Sequence, residues 1–216
     1  MEDNYRHKGL RKKLVDEIRK KGILDEEILK AINLVPRHLF IDSGFLAFAY
    51  EDKPFPIGSG QTISQPYTVA FQTQLLGVKP GDKILEIGTG SGYQACVLEA
   101  MGAEVFSIER QKKLFTKTKS LLSKLGYKAR LFYGDGYLGL PDFSPFDSIL
   151  ITAAAPEVPD VLFEQLKSGA GVLVSPVGDG RVQTMTRFVK SKTKTISKQT
   201  FGAFQFVPML KKIAND

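Results

Sequence analysis

The stretch of sequence that decides the fold is residues 84–93, which read ILEIGTGSGY. An apolar run leads directly into the glycine loop GTGSG at residues 88–92, and a helical pattern begins at Tyr93. Glycines at such a turn permit a tight bend and let a ligand approach the backbone closely. We therefore predict a strand, a glycine loop and a helix that form part of a ligand site, with a purely structural turn as the alternative.

Short β-rich runs alternate with helical stretches around this loop, from Lys79 onward. The alternation predicts an α/β fold, a doubly wound and mostly parallel sheet with helices on both faces. Two further β-rich runs, residues 182–189 and 195–207, lack a helix between them, so we expect antiparallel C-terminal strands at one edge. The other predicted strands are Lys83–Ile87, residues 105–108, 129–133 and 146–152, and Gly171–Val177, and the predicted helices are residues 93–101, 111–125 and 159–167.

The first part of the chain is organised differently. Residues 8–48 carry apolar side chains at helical spacing, whereas residues 50–66 are rich in proline and glycine and predict a long loop. A helix is expected from about Gln65 to Leu76, ending at Gly77. We predict an N-terminal helical extension with a substrate loop (residues 1–78) packed on an α/β core with a C-terminal β extension (residues 79–216), as one compact unit.

Bulk composition narrows the class of protein. The chain has 216 residues, a formal net charge of +7 and a single cysteine, Cys96, so an internal disulfide framework is impossible. The sequence contains neither an apolar run of the roughly 18 residues that a membrane span needs nor an N-terminal secretory signal. We expect a cytoplasmic protein without a membrane partner, in which Cys96 is a buried, small apolar residue.

Basic residues form three clusters, at residues 11–21, 110–124 and 181–198. The middle cluster lies on a predicted helix without a single acid, and it fits a solvated helix face. A nucleic-acid footprint is the alternative, although neither an aromatic-interleaved basic motif nor zinc-finger spacing accompanies the cluster. We therefore expect no nucleic-acid partner.

Three acids stand where a doubly wound sheet places ligand-binding groups. Glu109 ends the second core strand, where an acid can accept both hydroxyls of a ribose. Asp135 lies between two glycines at the end of the third strand and can accept from the exocyclic amine of adenine. Glu86 lies inside an apolar strand, where an unpaired carboxylate is costly. It either holds the glycine loop by accepting backbone N–H groups or faces the cationic side of the ligand. A plain surface acid and an Asp-Gly turn are the alternatives for Glu109 and Asp135.

The glycine spacing separates two classes of nucleotide site. The dinucleotide fingerprint is G-x-G-x-x-G/A, whereas here the third glycine, Gly92, comes one residue early. The G-x-G-x-G form with an acid two residues before it resembles the cofactor loop of class I methyltransferases. This resemblance implies S-adenosyl-L-methionine as cofactor and S-adenosyl-L-homocysteine as product. The residues expected to bind the cofactor are Glu86, Gly88, Thr89, Gly90, Ser91, Gly92, Glu109, Asp135 and Gly136.

A narrower resemblance spans residues 35 to 210. The segments PIGSGQTISQPYTVA (residues 56–70), VPRHLF (35–40) and FVP (206–208) are similar, in type and in order, to protein-L-isoaspartate O-methyltransferases. The chain departs from that family at Ala170-Gly171, where two glycines are usual, and at Met209, where the family has leucine. The resemblance implies a protein repair enzyme that methylates the free carboxylate of L-isoaspartyl residues in damaged proteins and peptides, and we expect a monomer.

Ser64 is the residue that this resemblance carries over as the active-site hydroxyl. Thr62, Ile63 and Val207 would line the isoaspartyl backbone and carboxylate. Because Ser64 precedes a predicted helix with an early proline, it is also a good N-cap, and both roles stay open.

Two other functions compete with this interpretation. One is a class I methyltransferase for nucleic acid or a small molecule, but residues 152–156 (TAAAP) are apolar where enzymes that N-methylate nucleic acid often carry an Asn/Asp-Pro-Pro-Tyr-type motif. The other is a catalytically idle domain that binds the cofactor and serves as a partner module. We expect no metal site, and we interpret His7 and His38 as peripheral to the chemistry.

Overall fold

The computed structural model describes residues 3–214. A seven-stranded sheet forms its centre, with strands in the order β5-β4-β3-β6-β7-β8-β9, and a separate two-stranded sheet pairs β1 with β2. The strands are β1 Phe55–Gly58, β2 Gln61–Ile63, β3 Lys83–Ile87, β4 Glu104–Glu109, β5 Arg130–Tyr133, β6 Ser148–Ile151, β7 Gly171–Val177, β8 Gln183–Lys190 and β9 Ile196–Phe204. The helices are α1 Tyr5–Lys20, α2 Glu26–Leu34, α3 Pro66–Leu76, α4 Tyr93–Ala100, α5 Lys112–Leu125 and α6 Asp160–Glu164.

The direction of the strands confirms the predicted doubly wound sheet. Strands β3 to β7 pair in parallel, whereas β8 is antiparallel to β7 and β9 is antiparallel to β8. Strand β9 therefore runs in the same direction as the parallel five, and β8 is the one reversed strand between them. The absence of a helix between β8 and β9 is the sequence feature that predicted this edge.

The central strands are buried on both faces because helices cover them. All four residues of β6 and four of the five in β3 are buried, and neither strand alternates apolar with polar residues. Such continuous apolar strands are typical of parallel sheets between two helical layers. Within residues 3–214, no helix combines the length and the apolar character needed to cross a membrane.

The N-terminal helices α1 and α2 share a hydrophobic cluster with α4 and α5, two helices of the α/β core. Ile18 of α1 and Ile32 of α2 belong to the same cluster as Cys96 of α4 and Leu122 of α5. Two 3-10 helices, Arg37–Phe40 and Ser43–Phe48, follow α2, so the helical stretch predicted to residue 48 is interrupted after Leu34. The break falls at Val35-Pro36, because the residue before a proline is disfavoured in the α region.

The predicted loop at residues 50–66 contains a short β-hairpin, which corrects the sequence interpretation. Phe55 and Ile57 of β1 are buried and alternate with exposed residues, and Phe55 pairs with Ile63 of β2. Prolines at positions 54 and 56 hide this alternation, since proline is tolerated only on edge strands. The turn places Ser59 at φ 51°, between two glycines that also have positive φ.

Helix α3 begins directly after this hairpin and agrees with the prediction. It starts at Pro66 and ends at Gly77, whose left-handed backbone (φ 67°) serves as the C-cap. Thr62 and Ile63 thus end β2, and Ser64 follows them two residues before the start of α3.

Candidate active site

One cavity lies at the carboxyl ends of β3, β4 and β6. The glycine loop forms its floor, the β2–α3 segment forms one wall, and residues 207–210 form another. It holds about 830 Å³ of space between protein atoms, including the part open to solvent. This position is where open α/β sheets bind ligands.

Close backbone packing fixes the glycine loop. Gly88 has φ 102°, and a Cβ atom there would lie 2.5 Å from the Thr152 hydroxyl, so a side chain is excluded. At Gly92 a Cβ atom would lie 2.7 Å from both Thr118 and Leu122 of α5. Gly92 therefore packs against a helix and lies outside the cavity lining, whereas Gly88, Thr89, Gly90 and Ser91 line it.

Glu109 holds the glycine loop from the end of β4. One carboxylate oxygen accepts the Gly90 N–H (2.9 Å) and the other accepts the Gln111 N–H (2.8 Å). Burial raises the pKa of Glu109, and the backbone donors act in the opposite direction. Each oxygen keeps a further lone pair, so Glu109 can still accept hydrogen bonds from a ligand in the cavity that it lines.

Glu86 lines the same cavity with a different set of contacts. Its Oε2 accepts from the Ser107 hydroxyl, which lies 2.6 Å from the Thr89 hydroxyl. Its Oε1 is buried and has no hydrogen-bond partner within residues 3–214. Burial raises the pKa of Glu86 to about 8. Of the two roles predicted for Glu86, holding the loop therefore belongs to Glu109, and facing the ligand remains.

Residues 209–212 lie on the side of the cavity near Asp135. One Asp135 oxygen accepts the Tyr137 N–H (2.9 Å), and the other accepts the Lys212 N–H (2.6 Å). Asp135 itself is outside the cavity lining, whereas its neighbour Gly136 and the tail residue Met209 line it. The tail thus closes one side of the site.

The segment before α3 supplies the opposite wall. Thr62, Ile63 and Ser64 line the cavity together with Val207, whose carbonyl accepts the Ala154 N–H (2.8 Å). The family resemblance predicted that Thr62, Ile63, Ser64 and Val207 lie together, and they line the same cavity.

The N-cap role predicted for Ser64 is wrong. Helix α3 has Gln65 at its N-cap position with no side-chain cap hydrogen bond. Asp52 caps the helix instead, because its carboxylate accepts the Tyr67 N–H (2.7 Å) and the Gln65 side-chain amide (3.0 Å). Ser64, which is half-buried, is left facing the cavity.

Sequence reasoning missed several cavity residues, two of which have buried atoms without partners. Tyr93 and Gln94 open α4, and the Tyr93 hydroxyl and the Gln94 Oε1 have no hydrogen-bond partner within residues 3–214. Both residues directly follow the glycine loop in the sequence, and this position could have indicated that they line the ligand site. The remaining cavity residues absent from the prediction are Gln61, Val69, Ile87, Ile108, Arg110, Thr152, Ala153, Pro208, Met209 and Leu210.

The histidines and the cysteine lie outside this cavity. His7 and His38 stack with ring centroids 3.8 Å apart, and the His38 ring nitrogen lies 2.7 Å from the Tyr50 hydroxyl. Burial lowers the pKa of His38 to about 4. Cys96 is fully buried in α4, as predicted.

Comparison with known proteins gives consistent matches along the chain. The sequence model of the protein-L-isoaspartate(D-aspartate) O-methyltransferase family matches residues 9–214. Protein-L-isoaspartate O-methyltransferases from Christiangramia forsetii and Cytophaga hutchinsonii are each 59% identical to this chain. The first match covers 97% of this chain and 98% of the relative, and the second covers 98% and 96%.

Solved structures agree with the sequence matches. A protein-L-isoaspartate O-methyltransferase superimposes with a TM-score of 0.83 at 32% identity, covering 92% of this chain and 65% of that one. A Plasmodium falciparum protein of the same assignment, solved in complex with S-adenosyl-L-homocysteine, has a TM-score of 0.80 at 25% identity, covering 93% and 98%. The family predicted from residues 35–210 is confirmed: this chain belongs to the protein-L-isoaspartate(D-aspartate) O-methyltransferase family.

Proposed function

We propose that the protein transfers the methyl group of S-adenosyl-L-methionine to the free carboxylate of L-isoaspartyl residues in damaged proteins and peptides. The products are a methyl ester and S-adenosyl-L-homocysteine. The observation that carries this proposal is one continuous cavity, with the glycine loop and Glu109 at one end and Thr62, Ser64 and Val207 at the other.

The unpartnered polar atoms of the cavity fit S-adenosyl-L-methionine. Glu86 Oε1 and Gln94 Oε1 are buried acceptors without a partner among residues 3–214, and they suit the cationic groups of this cofactor. Glu109 keeps acceptor capacity for the ribose hydroxyls. Gly136 lines the cavity and packs tightly against Ile87, since a Cβ atom there would lie 2.4 Å from the Ile87 side chain. We propose that Asp135 acts on the adenine side by holding the backbone after Gly136 and at Lys212. We propose that Gly92 positions the glycine loop by packing against α5, outside the cavity.

The acceptor needs little chemical activation from the protein. A carboxylate with a pKa near ~4 is already ionised at neutral pH, so no general base is needed. The cofactor supplies an electrophilic methyl group for in-line displacement. What the chain must contribute is alignment and exclusion of water, which can lower the barrier by several kcal/mol.

We propose that Ser64 is the active-site hydroxyl that orients the acceptor carboxylate. Ser64 does not cap α3, because the Asp52 carboxylate accepts the Tyr67 N–H at the start of that helix. This supports a role for the Ser64 hydroxyl in the cavity. Thr62, Ile63 and Val207 would line the isoaspartyl backbone around it. Ala153 and Ala154, which follow β6, have no side-chain group that could hydrogen-bond the amine of a nucleic-acid base. This disfavours a nucleic-acid methyltransferase.

An assay with matched peptides tests the proposed function. The wild-type protein is expected to transfer labelled methyl from S-adenosyl-L-methionine to an isoaspartyl peptide and not to its normal aspartyl twin. Ser64→Ala should lower kcat/KM for the isoaspartyl peptide at least about tenfold without lowering thermal stability. Exposed Ser43, as Ser43→Ala, is the matched control. Equal labelling of both peptides, or of neither, would contradict the proposed function.

We further propose that the protein is a cytoplasmic monomer without a nucleic-acid or membrane partner, and that residues 1–78 and 79–216 form one compact unit. The hydrophobic cluster shared by α1, α2, α4 and α5 supports the compact unit. Light scattering coupled to size-exclusion chromatography tests the monomer, and a mass near 24 kDa is expected.

A further inference from the structure

A second depression opens beside the acceptor end of the active-site cavity. It lies between α3 and the chain that leaves β9, and it holds about 1590 Å³, including open solvent. We call it the lateral groove. It shares Thr62, Ser64, Thr152 and Val207 with the active-site cavity, so the two border each other at these residues.

The lateral groove is aromatic and carries no charge. Phe71 lies at the centre of its aromatic side chains, stacked on Tyr67 with centroids 5.8 Å apart and on Phe204 with centroids 5.2 Å apart. Phe206 extends this surface toward Val207. None of the groove residues within the described part of the chain is an acid, a lysine or an arginine. The surface therefore offers apolar and π contacts rather than charge recognition.

Hydrogen bonds fix both walls of the groove. The Gln183 side chain accepts the Phe206 N–H (2.9 Å) and donates to the Gly180 carbonyl (2.6 Å), which holds the segment after β9. Arg187 of β8 donates to the Leu75 carbonyl (2.8 Å) at the end of α3. Since the two walls are tied to the same strand, the groove is preformed, which reduces the entropic cost of binding.

We infer that the lateral groove binds the large apolar or aromatic side chain of a residue that flanks the isoaspartyl residue in the substrate. This inference rests on the proposed function. Successive residues of an extended chain are about 3.3–3.6 Å apart, so a neighbour of an acceptor held at Ser64 lies within reach of the groove. The neutral lining selects against charged neighbours, because a charge there would lose its hydration without gaining a partner.

A peptide series tests the inference on the full-length protein. Isoaspartyl peptides would differ only in the residue directly before or directly after the isoaspartyl position, which is phenylalanine, glycine or glutamate. At one of these two positions, phenylalanine should raise kcat/KM about tenfold over glycine, which is the scale of one buried aromatic contact, and glutamate should give no gain. Phe204→Ala and Tyr67→Ala should each remove most of the phenylalanine gain while changing the glycine peptide less than twofold.

Phe48→Ala is the matched control, since Phe48 is an exposed phenylalanine that lines neither cavity. It should leave the phenylalanine gain intact, and circular dichroism should show that all three variants fold. Equal kcat/KM for phenylalanine and glycine at both positions in the wild type would overturn the inference while leaving the proposed function standing. An equal loss of kcat/KM for all peptides in Phe204→Ala and Tyr67→Ala would also overturn the inference. Failure of every isoaspartyl peptide to be labelled would instead refute the proposed function.

Discussion

The two halves of the active-site cavity are built differently but are held in the same way. The cofactor half stands on the ends of parallel strands, and Glu109 holds it by accepting the Gly90 and Gln111 N–H groups. The acceptor half is a hairpin and a helix start, and Asp52 holds it by accepting the Tyr67 N–H. In each half a buried carboxylate accepts backbone N–H groups, two at Glu109 and one at Asp52. The difference is where the carboxylate stands, because Glu109 ends strand β4 of the central sheet, whereas Asp52 lies in a loop outside that sheet and reaches the start of α3.

The largest expected effect comes from removing the carboxylate that holds the cofactor half. Glu109→Ala leaves two backbone donors without an acceptor, and hydrogen bonds to a charged group contribute roughly 1.5–3 kcal/mol each. We expect S-adenosyl-L-homocysteine to bind at least about a hundredfold more weakly, as measured by calorimetry.

Glu109→Gln is the matched control, because its amide keeps one acceptor oxygen and should retain part of the affinity. Unchanged affinity in Glu109→Ala would show that the glycine loop holds its shape without this contact.

A smaller and more selective effect is expected in the acceptor half. Asp52→Ala should displace the start of α3 and lower kcat/KM for an isoaspartyl peptide roughly ten- to hundredfold, mainly by raising KM. The affinity for S-adenosyl-L-homocysteine should change less than twofold, since Asp52 does not line the cavity.

Asp52→Asn keeps one oxygen acceptor for the Tyr67 N–H and should restore most of the peptide activity. If Asp52→Ala weakened cofactor binding as much as peptide binding, the two halves would not be independently held.

The smallest expected effect concerns Glu86, a buried carboxylate of the cofactor half that accepts from the Ser107 hydroxyl and from no backbone N–H of the described residues. The pKa of Glu86 is raised from 4.5 to about 8 in the folded protein. The folded state therefore binds this proton more tightly than the unfolded state, and the free energy of unfolding falls as pH rises from 4.5 to about 8. A cationic ligand favours the carboxylate, so cofactor affinity should rise several-fold over the upper part of that range.

Glu86→Gln cannot titrate and serves as the reference. Thermal unfolding and calorimetry between pH 6 and pH 9 should show a weaker pH dependence of both stability and cofactor affinity in the variant. Parallel pH profiles for the wild type and the variant would remove Glu86 from both effects.

Local patterns predicted the sheet and the cofactor half because each signal lies in neighbouring residues. The strand before Gly88, the loop glycines and Glu109 all follow the order of one βαβ unit. The hairpin at residues 55–63 escaped prediction because its prolines mask an alternation of only a few residues.

Long-range contacts set the remaining features, and no local pattern reports them. The capping of α3 by Asp52 joins segments that periodicity does not link, and it displaced Ser64 from the role that its position favours. The contact of Lys212 with Asp135 joins residues 77 positions apart. The family resemblance found the residues of the acceptor half, but it did not indicate what holds them.

The burial of Cys96 has a consequence for the durability of the protein. It is the only cysteine in the chain, its side chain is fully covered in the interior of α4, and burial raises the pKa of its thiol. Oxidants and disulfides react with an exposed thiolate, and Cys96 offers neither the charge nor the access. The protein is thereby protected, at its one thiol, from oxidation and disulfide exchange.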